Sequence, residues 1–155
     1  MKKFLSIVMV FFAMALTAGD LKVPKDAKDP LFLWNVNKYG NFVCEMELKN
    51  GKKVYFSSVK SMMDFYYRPW FYEGYGAKTA KDIKKMLVQD YITGSVIDAK
   101  KAYYVFGSRL IGPKGDDLVP LMDENSVKMF EMKYGGTKVL RFDQITKGLI
   151  KYLDM

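Results

Sequence analysis

The sequence predicts an α+β protein, with two tandem ββαβ units forming a small compact domain and a C-terminal amphipathic helix after them. Three observations carry that expectation. FVCEMELKNGKKVYFSS alternates apolar and polar residues on both sides of Asn50-Gly51, the period of half-buried strands around a tight turn. The outline returns in the second half, where AYYVFGSRLI, LVPLM and KVLRF are short runs rich in β-branched and aromatic residues. The helical segments of the halves share a local likeness, Val59-Lys60-Ser61-Met62 against Val127-Lys128-Met129-Phe130.

The first nineteen residues stand apart from the fold. Lys2 and Lys3 precede an apolar run from Phe4 to Phe12, and small residues (Ala13, Ala15, Ala18, Gly19) follow before the chain turns polar at Asp20. That order is a secretory signal peptide, too short for a comfortable membrane span, with cleavage after Ala15, Ala18 or Gly19. Export to the periplasm follows, without lipid attachment at a new N-terminal cysteine, because no cysteine ends the apolar run. Residues 20–33, with two prolines in LKVPKDAKDP, read as a flexible lead-in to a domain over 34–155.

The first unit, 34–97, holds strands at about 41–48 and 53–56, joined by a type I′ turn at Asn50-Gly51. Ser57 or Ser58 is placed to cap a helix running to Tyr67, and Pro69 stops it. Six of the ten residues from Tyr66 to Tyr75 are aromatic. They serve either to cover a core edge or to form a partner-binding surface. The second unit, 98–155, has its two strands around the GPKGDD turn and a helix capped by Asp123 and closed by Gly135-Gly136. The KVLRF strand follows, and Asp143 is placed to cap a last helix with Ile145, Leu149 and Leu153 on one face.

Composition excludes much chemistry. With no histidine, Ser-His-Asp and Cys-His catalysis, HExxH zinc sites and histidine-ligated haem are out. One cysteine forbids an intrachain disulfide, a CxxC motif and a four-cysteine zinc site. The carboxylates Asp98, Asp116, Asp117 and Asp123 sit where turns and caps need them, so no acid–base pair emerges and no enzyme is expected. GSRLIGPK lacks the Lys-Ser/Thr of a phosphate loop, and Pro113 removes a backbone donor there. The formal charge of +8 rests on scattered lysines, a solvated basic surface and not a nucleic-acid site.

What remains is sulfur. On a strand, Cys44 and Met46 point to the same face. Two uses fit that pattern: membership of an apolar stripe, or a thiolate–thioether pair suited to a soft monovalent ion such as Cu(I). Met62, Met63 and Met122 are further sulfurs, and most of the helical methionines are expected to pack in the core.

From Ile97 to Ile145 the chain resembles the NosL family, periplasmic accessory proteins of nitrous-oxide reductase assembly. The resemblance rests on Asp98-Ala99, the Tyr-Val-x-Gly-Ser run at Tyr104–Ser108, Gly112-x-x-Gly115, Pro120 and the Tyr-Gly-Gly before Val139. Cys44-Glu45-Met46 is similar to the family's Cys-Gly-Met element. The resemblance implies two ββαβ units and a copper chaperone that binds one Cu(I). It would deliver the ion to nitrous-oxide reductase, a denitrification enzyme, with the help of a membrane-bound transporter. Carried over by position, Cys44 and Met46 are the matching metal residues. Glu45 replaces the family glycine, Lys114 stands where many members carry a methionine, and the usual histidine, earlier cysteine and lipid-anchoring cysteine have no counterpart. Met62, Met63 and Met122 are then the candidates to complete a copper site. A metal-free periplasmic module docking a membrane or enzyme partner is the alternative. Exposure of Cys44 separates the two, since a donor needs a reachable sulfur.

Overall fold

Period-two alternation puts Cys44, Met46 and Leu48 on one face of a strand, and that face organises the first half. In the computed structural model, which describes residues 20–155, β1 (Cys44–Leu48) is an inner strand of a four-stranded antiparallel sheet. Its neighbours are β2 (Lys53–Phe56) and β3 (Ile83–Gln89), and β4 (Val96–Asp98) lies beyond β3. Helix α1 (Val59–Tyr67) joins β2 to β3. In the second half, β5 (Tyr103–Phe106) lies between β6 (Val119–Leu121) and β7 (Lys138–Arg141), with helix α2 (Glu124–Tyr134) joining β6 to β7. Helix α3 (Lys147–Leu153) comes last. Each half is therefore ββαβ, with its first strand central and the other two on its flanks. The α+β class stands, and β4 is an edge strand that the sequence pattern did not announce. The leader expected at 1–19 lies outside the described residues.

One core serves both halves. Cys44, Met46, Phe56, Met62, Met63 and Phe65 pack in a cluster with Tyr104, Leu118, Leu140, Ile145 and Ile150. A smaller cluster under α2 is built on Phe130, Val105, Val119 and Leu121. Within the lead-in, Asp29 is fully buried: one carboxylate oxygen accepts the Leu31 and Phe32 amides, the other the Ser57 amide and the Ser57 and Ser61 hydroxyls. That carboxylate ties the segment to α1.

Several local expectations need correction. β1 begins at Cys44 and not near 41, because Gly40–Phe42 forms a 3₁₀ turn. The hairpin is not type I′, which needs positive φ at both central residues. Only Gly51 has it, at 87°, and Leu48 bonds Lys52 across a three-residue loop. Asp123 caps α2 as expected, accepting the Ser126 amide at 2.8 Å. Asp143 does not cap the last helix: it lies in a 3₁₀ turn, and Thr146 accepts the Leu149 amide instead. The buried residues of that helix are Ile150 and Leu153.

Candidate metal centre

Cys44 opens β1 and faces the second half of the chain. Its side chain is 0% exposed, and Sγ donates to the Phe42 carbonyl at 3.3 Å. Burial, and after it the Asp117 and Asp29 carboxylates, push the thiol well above its usual range. It is therefore held as the neutral thiol. The expectation that a copper donor shows a reachable sulfur is not met in this conformation.

Met46, two residues on, is equally buried and stands opposite Met86 of β3 in the sheet register. Met62 and Met63 in α1 belong to the same cluster. The structure thus gathers Cys44, Met46, Met62 and Met63 around one core, adds Met86, and leaves Met122 out, 39% exposed beyond β6. Met129 and Met132 of α2, expected to pack, are exposed as well. Met86 was hidden in IKKMLVQ because only strand pairing brings it beside Met46.

The second residue to matter is Asp117, which on sequence grounds is an ordinary solvated turn acid. It is buried, and its Oδ1 accepts the Lys60 amide at 3.0 Å and the Leu118 amide at 2.8 Å. The first of these bonds caps α1 from the second unit, the role expected of Ser57 or Ser58. Ser58 occupies the N-cap position without capping the helix, and its hydroxyl lies against the Asp117 carboxylate, whose charged form it favours. Burial pushes the Asp117 carboxyl up to about 6.

Lys60 completes the junction. Its ammonium is buried and donates to the carbonyls of Lys114 (2.7 Å), Asp116 (3.0 Å) and Leu153 (3.1 Å), tying α1 to the Gly112–Gly115 turn and the end of α3. Lys114 itself is exposed, with its ammonium 4.7 Å from the centre of the Phe32 ring. Its charge lies outside the sulfur cluster. Among the described residues no group of three or more His, Cys, Asp or Glu side chains could hold a metal. A hard-ligand cage is therefore not what this site offers. A thiol and thioethers suit a soft cation, which would offset the cost of ionising Cys44.

The sequence model of the NosL family matches residues 20–150. The chain belongs to the NosL family. The copper-binding lipoprotein NosL of Stutzerimonas stutzeri is 40% identical over 58 residues, a match covering 37% of this chain and 30% of that relative's length. The crystal structure of the copper chaperone NosL from Shewanella denitrificans superposes with a TM-score of 0.70 at 21% identity, covering 84% of this chain and 98% of that one. It shares the fold of this NosL-family chain. The apo-NosL protein of Achromobacter cycloclastes gives a TM-score of 0.48 at 24% identity over 69% of this chain and 87% of that one. No helix among the described residues is long and apolar enough to cross a membrane.

Proposed function

We propose that this chain is a periplasmic copper accessory protein, not an enzyme, that binds one Cu(I) through Cys44 and Met46 and passes it on. The recipient implied by the family is nitrous-oxide reductase, reached with its membrane-bound maturation transporter. The observation that carries this reading is the placement of a thiol and a thioether on one face of β1, within one buried cluster with Met62, Met63 and Met86. Its relatives' descriptions as copper proteins support it. Because Cys44 is enclosed, loading and release require the junction between the two units to open. Because the thiol is protonated, binding expels a proton, and the apparent affinity rises roughly tenfold per pH unit below the thiol pKa.

Complete burial of Cys44 favours a second reading, a metal-free module that uses the fold to dock a partner. An anaerobic Cu(I) titration against a competing chromogenic chelator decides between them. One-to-one binding lost in Cys44→Ala and weakened in Met46→Leu is the expected result. Failure of the wild-type protein to compete for copper would sink the copper reading and leave the module.

A further inference from the structure

The aromatic run after α1 divides sharply. Tyr72 is buried, its ring stacked on Phe65 at 4.9 Å and its hydroxyl bonded to Asp64. Pro69 is buried as well. Between them Trp70 and Phe71 are 60% and 59% exposed. They sit on a short 3₁₀ turn fixed by the Phe71 and Tyr72 amides, which donate to the carbonyls of Arg68 and Pro69. Two neighbouring large aromatics are thus presented to solvent by a turn anchored on both sides. Their rim is basic. The Arg68 guanidinium lies 4.4 Å from the centre of the Phe71 ring, and Arg68 also lines a cleft between α1 and α3 with Lys147 and Lys151. Two carboxylates share that cleft, Asp64 and Asp154. Asp64 is already taken by Arg68 and Tyr72, and Lys147 and Lys151 are exposed, with no ion pair among the described residues.

We propose that the Trp70–Phe71 turn is a membrane-docking wedge, inserting at the interface of an anionic phospholipid surface while Arg68, Lys147 and Lys151 meet the headgroup phosphates. Exposed Trp and Phe beside cations are the combination that partitions into this layer. The charge of the whole chain, +8, has the complementary sign. The inference does not depend on copper, since Cys44 lies in the core and the wedge on the outside.

The test uses the chain from Asp20 onward carrying Trp34→Phe, which leaves Trp70 as the sole tryptophan. Its fluorescence is followed against vesicles of brominated phosphatidylcholine mixed equally with phosphatidylglycerol. Quenching and a blue shift are expected with these vesicles, with both effects much reduced on all-phosphatidylcholine vesicles. Lys147→Glu combined with Lys151→Glu is expected to weaken binding at least tenfold and to remove its salt sensitivity. Phe71→Ala should weaken it while leaving the circular dichroism spectrum unchanged, because the ring is solvent-facing. Unquenched Trp70 on anionic vesicles, or quenching indifferent to the lysine reversals, would overturn the proposal. Cross-linking from position 70 to a protein in the native envelope, in place of lipid, would overturn it equally.

Discussion

The two ββαβ units share a topology but use their helices in opposite ways. Of the nine residues of α1, six are buried, including Lys60, Met62 and Met63. Of the eleven in α2, three are buried, and Met129 and Met132 point to solvent. The N-terminus of α1 is capped across 57 positions by Asp117 of the second unit, whereas α2 is capped by its own Asp123. The helix of the first unit is therefore capped by the second unit, whereas the second unit caps its own. Cys44, Met46, Met62 and Met63 lie in the first unit, within the core it shares with the second, while Met122 lies outside that core.

The sharpest way to break this comparison is to truncate equivalent sulfurs. Met62→Ala removes a fully buried side chain from the shared core and should cost about 3 kcal/mol by transfer and cavity terms. Met132→Ala, on a side chain 86% exposed, should change stability by less than about 0.5 kcal/mol. Urea denaturation of both variants checks this. Similar costs for the two would mean that α2 is covered by something in solution and that the asymmetry is not a property of the isolated fold.

How much of this could be read from sequence follows the range of the interactions. Alternation within β1 correctly put Cys44 and Met46 on one face, because strand period is local. Asp123 and Gly135 marked the ends of α2 for the same reason. Ser58 misled because its position satisfied the local capping rule while the amide it should have served was taken by a carboxylate 57 residues away in sequence. Met86 and Lys60 escaped because strand register and a lysine shared by three distant carbonyls are long-range facts. The methionines of α2 were expected inside on general burial tendencies. The second unit is a single small sheet with one smaller cluster, and it has core for Val127 and Phe130 but not for two more side chains.

Asp117 sharpens the comparison through pH. Its carboxyl is raised from its ordinary value of 3.8 to about 6 by burial, so the folded state holds a proton that the unfolded chain has released. The stability associated with that proton is fully present below about pH 4 and is lost as pH rises through about 6. For a shift of this size the loss is about 3 kcal/mol. In Asp117→Asn the amide oxygen still accepts the Lys60 and Leu118 amides, and nothing ionises. The difference in unfolding free energy between wild type and Asp117→Asn, measured from pH 4 to 7, should therefore fall by about that amount. Carboxylates with lowered pKa, such as Glu47 and Asp82, act in the opposite direction but are common to both proteins and cancel. A flat difference would show that Asp117 is solvated and that the junction is looser than described.

The smallest effect concerns the helix caps themselves. Asp123→Ala removes a side chain that accepts the Ser126 amide, and should cost about 1 kcal/mol. Ser58→Ala removes a hydroxyl that occupies the N-cap position of α1 but does not cap it, lying against the Asp117 carboxylate instead. That contact favours only the ionised carboxyl, so at about pH 5, where Asp117 is largely protonated, the change should stay within about 0.5 kcal/mol of zero. The pair is informative because the same substitution class at the same helical position gives different answers only if α1 is capped from the other unit. A Ser58→Ala cost equal to that of Asp123→Ala would return the cap to Ser58, free Asp117 from its structural duty, and make the two units alike.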